Sequence, residues 1–481
     1  MATTLNPARP FPGAGDYPID EGYFDEAFAL TGVPRPPYAE LFDALARHDP
    51  KVLRERVRSK AVARGISFGP EQALAVDPVP RLIGAAEWAE VEAGLAQRVR
   101  ALNAFLADAY GAQKIFDAGV VPRRLLETSE GYEPRMRGLL DGHPAAATVA
   151  GLDLIRDRDG SLLVLEDNLR MPSGASYSAA VRELVEPELE TRLRPAGLGG
   201  HAEALAGAIR AAAPDGRDDP AAALLSDGPA SGAWYEHRRL SHELGVPLVM
   251  TSQLEQSRGR LFARRGRDRH QVDVLYRRLD ADRLSAPDGS LTSLGEMLLP
   301  ALESDRLRCL NAFGSGLADD KLAHAYAESM VRFYLDQEPL LRSVPSFDLS
   351  EEGPRAAAME RLDELVIKPR DGFGGRGVTI MPRATESQRR RAIGLLRRRP
   401  ERFVAQETIP LSSHPTVCGG RLRPRRVDLR PFVVTGPDGP RAMTGGLTRF
   451  ARGAGEMVVN SSRGGGCKDT WVVEEESGGK R

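Results

Sequence analysis

The sequence predicts an α+β fold on three observations. Helical patterning marks residues 38–65 and 87–111. Two apolar strands joined by a polar turn follow at 151–166. After an Asp- and Pro-rich linker come alternating strands and helices, then a run of strands punctuated by glycine.

Composition sets the frame. The 481 residues are 41% hydrophobic and 28% charged, enough for two to four packed units. Lys and Arg number 66 against 67 Asp and Glu, and a net charge of −1 gives no reason to expect a nucleic acid or an anionic membrane as partner. Cys309, Cys418 and Cys467 are widely spaced and match no disulfide or zinc pattern, which suits a reducing compartment. With no signal-like start and no apolar run of about 20 residues, a cytoplasmic location is expected.

Taken in order, residues 1–20 are rich in Pro and Gly and read as a loose arm. Residues 38–65 carry helical patterning with many solvated charges. From Glu87 to Gly111 apolar residues recur at helical spacing, a long helix. GLDLIR (151–156) and the strand from Leu162 to Glu166, joined by DRDG, read as a hairpin with Gly160 in its turn. Beyond the linker Pro214–Pro220, AALLS, a helical stretch from Ser231 to Leu244 and GVPLVM give the strand–helix–strand rhythm of a βαβ unit. DVLYRRLDAD is a further strand, and 326–335 a helix. Then come a strand (ELVIKP), the turn RDGFGGRG, a strand (VTIM), a basic helix at 386–398 and a strand (RFVAQE). The tail from 427 continues with VDLRPFVV, MTGGLTRF and EMVVNSS.

Chemistry concentrates in two places. In KPRDGFGGRG, glycines Gly372, Gly374, Gly375 and Gly377 let backbone N–H groups approach an anion, and Lys368 adds a cation from the adjoining strand. A lysine before the glycines, with a strand after them, is not the P-loop order. It suits a flap over a triphosphate, the plainer alternative being a tight hairpin with a solvated lysine. If the flap holds a nucleotide, Gln406 and Glu407 at the end of FVAQETI face its adenine and ribose; otherwise that strand simply ends in solvent. Asp428 and Arg430 share one face of a strand by period 2.

The second place is LLVLEDN, an apolar strand that runs into acids. Period 2 puts Glu166 and Asn168 on one face and Asp167 on the other. Asp153, on the partner strand, completes a patch of two carboxylates and an amide oxygen, the donors Mg²⁺ takes beside phosphates. The alternative is a hairpin whose acids cap a turn or pair with Arg156 and Arg170.

LEDN resembles the E-x-N metal signature of ATP-grasp ligases, and KPRDGFGGRG resembles their glycine-rich lid. Because Glu166 precedes Lys368 by about 200 residues, the reverse of the usual order, the chain resembles the circularly permuted ATP-grasp proteins of type 2. PVPRLI, QRVRALNAFLADAYG, NAFGSGLADDK, RFYLDQEP, GGLTRFA and VVNSSRGGGCKDTWV extend the likeness over roughly residues 65–475. Two places depart from the family pattern, Arg463 with Cys467, and RLSAPDG after RRLDAD; both bear on substrate-side loops.

The resemblance implies a circularly permuted ATP-grasp core with a Rossmann-like pre-ATP-grasp domain and a helical N-terminal region. The implied division is 1–64, arm and helices; 65–212, helical segment and metal-binding part; 213–350, pre-ATP-grasp domain; 351–410, lid; 411–475, the rest of the core; and 476–481, a frayed tail. It implies ATP clasped by Lys321 and Lys368, and Mg²⁺ on Asp153, Glu166 and Asn168, as in the more distant glutathionylspermidine synthetases. Arg430 and Arg449 would lie near the γ-phosphate or an acyl phosphate, and Arg170 with the turn Pro172–Gly174 by the acceptor. The expected activity is carboxylate–amine ligation through an acyl phosphate on small amino-acid or peptide-like substrates. The alternatives are an ATP-binding module acting as partner or regulator, and a kinase. Cys467 reads as a small buried residue and His237 as structural, on the face towards the substrate domain.

Overall fold

A computed structural model describes residues 11–69, 73–140, 143, 145–214, 219–280, 283–372, 374–457, 459 and 464–474. The patterning of 38–65 resolves into two helices, Pro36–Leu45 and Pro50–Ala63. Pro50 cannot continue the first helix, and the Asp49 carboxylate caps the second by accepting from the N–H groups of Lys51 and Val52. The long helix runs Ala85–Tyr110 and buries Leu95, Val99, Leu102, Phe105 and Leu106 along one stripe.

The arm requires a correction. Residues 1–10 and the tail from 475 lie outside the described residues, but from Phe11 onward the segment is packed, not loose. Phe11 and Tyr17 are buried, Tyr17 stacks on Phe28 at 4.4 Å between ring centroids, and its hydroxyl donates to Asp25 at 2.9 Å. Pro and Gly shape its turns, while the aromatic rings supply the apolar area that anchors them.

Among the described residues, nine strands form one mixed sheet. The hairpin strands Val149–Arg156 and Leu162–Asn168 lie in it. Val149–Arg156 also pairs with Arg421–Arg430 and Phe432–Gly436. Leu447–Phe450 and Gly466–Val473 continue the sheet, and Gly466–Val473 lies parallel to Val76–Gly84. Ala222–Ser226, Leu248–Val249, Val274–Arg278 and Arg308–Leu310 form a separate parallel sheet, with helix Trp234–Leu244 joining the first two.

The glycine-rich region has its own four-stranded sheet. Leu365–Pro369 pairs antiparallel with Phe403–Glu407 and with the short strand Thr379–Ile380. Ser346–Asp348 adds an edge on Phe403–Glu407. Helix Glu386–Arg398 covers the sheet, started by a capping box between Thr385 and Gln388. The strand expected over EMVVNSS is not formed at 456, 457 and 459, and its other residues lie outside the described ones. No helix among the described residues is long and apolar enough to cross a membrane.

Candidate active site

The acidic hairpin owes its geometry to one irregularity. Asp153 pairs with Glu166 and Gly151 with Asn168, yet Leu154 pairs with Val164, so Leu165 is an extra residue on its strand. Such a bulge re-aims side chains locally. Leu165, Glu166 and Asn168 all line one cavity of about 450 Å³, and Asp153 joins them from the neighbouring strand. Asp167 points away. Both its oxygens accept from Arg98, at 2.7 Å each, and its Oδ2 is hydrogen-bonded to Nδ1 of His324 at 2.7 Å. The three side chains are buried, and the two partners hold the Asp167 carboxyl well below the usual range despite its burial.

The Asp167 network also fixes a cation. His324 belongs to helix Lys321–Ala325, so Asp167 ties that helix to the acidic strand. At the helix start Lys321 Nζ lies 2.9 Å from Glu166 Oε1 and donates to the carbonyl of Gly372 in the glycine-rich loop. Burial pushes Glu166 up, but Lys321 and Lys368 outweigh it and leave its carboxyl below the ordinary value. Asp320 accepts from Nε and Nη2 of Arg370, at 3.0 and 2.8 Å, which pins the base of the loop to the same helix.

The loop's own strand brings Lys368 to the cavity, where it donates to Gln406 Oε1. Gln406 Nε2 reaches the carbonyl of Leu165 at 3.3 Å, joining the two sheets. Burial lowers Lys368 to about 8, against the opposing pull of Glu166. Glu407 lines the cavity but ion-pairs with Arg361 at 3.0 Å. Gly372, Gly374 and Gly375 line it too. Gly377 does not: a Cβ there would stand 2.7 Å from Pro369, and its φ of +75° closes the turn instead.

Opposite the lysines stand two arginines. Arg430 donates to both oxygens of Asp153, at 2.6 and 2.8 Å. Arg449 bridges Asp153 at 2.9 Å and Asp428 at 2.6 Å. These charges overcome the burial of Asp153 and keep it ionised far below its usual range. Asp428, with the weaker share, is raised by burial. The acids are thus not paired with Arg156, whose guanidinium meets Glu87 at 2.6 Å. Arg170 lines the cavity, and its backbone N–H donates to Asp319 at 2.9 Å. Asp319, raised by burial to about 7, lines the cavity without having been anticipated from sequence. The consecutive acids of GLADDK were the available signal for it.

Cys467 is buried, away from the cavity, with its thiol pushed up by burial. His237 is buried 2.7 Å from Ser226 Oγ, and burial lowers it to about 3. Both positions match a structural reading. Arg463 lies outside the described residues.

The donors suit Mg²⁺: two carboxylates and an amide at facing register positions, all hard oxygens. Asn168 Nδ2 is buried without a hydrogen-bond partner, a free N–H donor that suits an anionic acceptor such as a phosphate oxygen, while Oδ1 is the atom of that amide that would meet a cation. Among the described residues no group of three or more His, Cys, Asp or Glu side chains is gathered as for a metal held by protein alone. Mg²⁺ ordinarily relies on one or two carboxylates and completes its shell with phosphate and water.

Comparison with known proteins finds relatives over most of the chain. A protein of Mycobacterium leprae called uncharacterized is 37% identical over 97% of this chain and 85% of its own length. One of Synechocystis, likewise called uncharacterized, is 36% identical over 94% of this chain and 97% of itself. A Frankia alni protein bearing the name "Putative glutamate--cysteine ligase 2-3" is 40% identical over 93% of this chain, which spans only 54% of that protein's length. The model of one family, circularly permuted ATP-grasp type 2, matches residues 80–451. With that match spanning most of the sequence, the chain belongs to the circularly permuted ATP-grasp type 2 family.

Proposed function

We propose that the protein is an ATP- and Mg²⁺-dependent ligase that joins a carboxylate to an amine through an acyl phosphate, on amino-acid or peptide-like substrates. One observation carries the reading. Glu166 and Lys368, distant in sequence, face one cavity, with Lys321 touching both the Glu166 carboxylate and the Gly372 carbonyl. Membership in an ATP-grasp family, and the ligase name of one relative, support it. The domain division given above is retained within this proposal, with the first unit packed from Phe11 onward.

In the proposed reaction the substrate carboxylate attacks the γ-phosphorus of ATP, giving acyl phosphate and ADP. The amine then attacks the acyl carbon and phosphate leaves. Phosphoryl transfer depends mainly on position and neutralised charge, which is the chemistry that lysines, arginines and backbone N–H groups supply. Lys321 and Lys368 hold the phosphates, and the backbone at Gly372, Gly374 and Gly375 lies over them. Arg430 and Arg449, oriented by Asp153 and Asp428, meet the charge that develops on the transferred group. Arg170 stands by the acceptor. Asp153, Glu166 and Asn168 would hold Mg²⁺, which would supply neutralisation of phosphate charge. Closure of residues 365–405 keeps water from the acyl phosphate.

Glu166→Ala is expected to abolish ATP turnover with the fold retained, read as ADP release beside a circular dichroism spectrum. Full ADP release by that variant would refute the metal role. Lys368→Ala is expected to weaken nucleotide binding about 10- to 100-fold, the scale of one charge-assisted hydrogen bond. Unchanged affinity by calorimetry would count against its assignment. ADP release across pools of carboxylates and amines separates a ligase from a nucleotide-binding module.

A further inference from the structure

The cavity has two apolar ends on either side of its charged band. Val366, Val378 and Ile380 of the glycine-rich region face Leu165 and Ile409 at one end, beside Lys368 and Gln406. At the other end stand Phe68, Leu74, Tyr177 and Leu447, which belong to a different apolar cluster. Leu447 is the direct cross-strand partner of Arg430, so this second wall begins where the arginines end.

The second wall offers a ligand almost no free polar group. The Tyr177 hydroxyl donates to the carbonyl of Ser67 at 2.8 Å and lies edge-on to Phe68, 5.9 Å between centroids, so its ring is what remains to present. In the adjoining turn the Gly174 N–H is given to the buried Glu236 carboxylate, at 3.0 and 3.1 Å. Arg278, also buried, donates to the carbonyl of Pro172 at 2.7 Å and to Ser173 Oγ. Glu236 and Arg278 neutralise each other at 3.6 Å behind the turn. Arg430 and Arg449 are held by Asp153 and Asp428. A charged side chain seated against Phe68, Leu74, Tyr177 and Leu447 would lose its hydration without a polar partner among these four, the cavity's charged groups lying outside this wall. An apolar one would gain by burial.

We infer that this wall is the side-chain subsite for the carboxylate substrate, and that the substrate carries an apolar or aromatic side chain, its carboxylate directed at Arg430 and Arg449. The inference rests on the ligase reading for the direction of the carboxylate; the binding preference itself does not need turnover. Calorimetry on the full chain with Mg²⁺ and ADP present, titrating L-phenylalanine, L-leucine, L-glutamate and L-lysine in turn, tests it. Phenylalanine and leucine are expected to bind at least about tenfold more tightly than glutamate or lysine. Phe68→Glu is expected to reduce phenylalanine binding by a similar factor while leaving ADP affinity unchanged. Phe68 is half-buried, so the fold should carry the change, and Phe68→Leu should restore binding. Equal or tighter binding of the charged amino acids, no binding of the apolar ones, or indifference to Phe68→Glu would each overturn the subsite. Failure of ADP itself to bind would instead remove the nucleotide reading.

Discussion

At the scale of single residues, the site is a set of charges made stable by one another. Asp153 stays ionised because two guanidiniums meet it, and Glu166 because two lysines do. Lys368, held by burial at about 8, changes state in an accessible range, as does Asp319, raised by burial to about 7. The cationic form of Lys368 predominates below its own value, so affinity for ADP is expected to fall as the pH rises through about 8, measured by calorimetry on either side. A pH-independent affinity would contradict its role. The fold responds with the opposite sign. The folded value lies below the ordinary 10.5, so charged Lys368 costs stability below about 8, and that cost fades as the pH climbs towards 10.5. At this scale period 2 made much legible in the sequence: Glu166 with Asn168, and Asp428 with Arg430, do share the cavity. The partners of Asp167 were not legible, because Arg98 and His324 reach it from other elements and no local spacing encodes them.

At the scale of elements, the hairpin, the long helix and the glycine turn followed from periodicity and turn chemistry. The bulge at Leu165 did not, since a register shift depends on the facing strand. The same holds for the arm, where Pro and Gly suggested looseness and buried aromatic rings decided otherwise. The joint between helix Lys321–Ala325 and the acidic strand is one buried ionic cluster, Arg98, Asp167 and His324. Asp167→Ala leaves the Arg98 charge buried and uncompensated. It is expected to cost about 3–5 kcal/mol in urea unfolding, the usual scale for breaking a buried pair. It should also weaken ADP binding by loosening Lys321. A loss below about 1 kcal/mol would show that the cluster does not hold the joint.

At the scale of the whole molecule, the order of strands and helices was largely visible in the sequence, whereas the large sheet was not. Its strands Val76–Gly84 and Gly466–Val473 pair in parallel from nearly opposite ends of the chain, and nothing in either strand names its partner. The same long-range folding makes the site. Lys321 and Gln406 each connect the glycine-rich region to the acidic strand, and Arg370 fastens that region to Asp320. Early hairpin and late loop are therefore expected to respond together to one nucleotide. Hydrogen exchange with and without ADP and Mg²⁺ measures this directly. Slowed exchange in both 162–168 and 365–377, lost together in Lys368→Ala, is the predicted result. Protection of one segment alone, or of neither while ADP is bound, would contradict a nucleotide held between them.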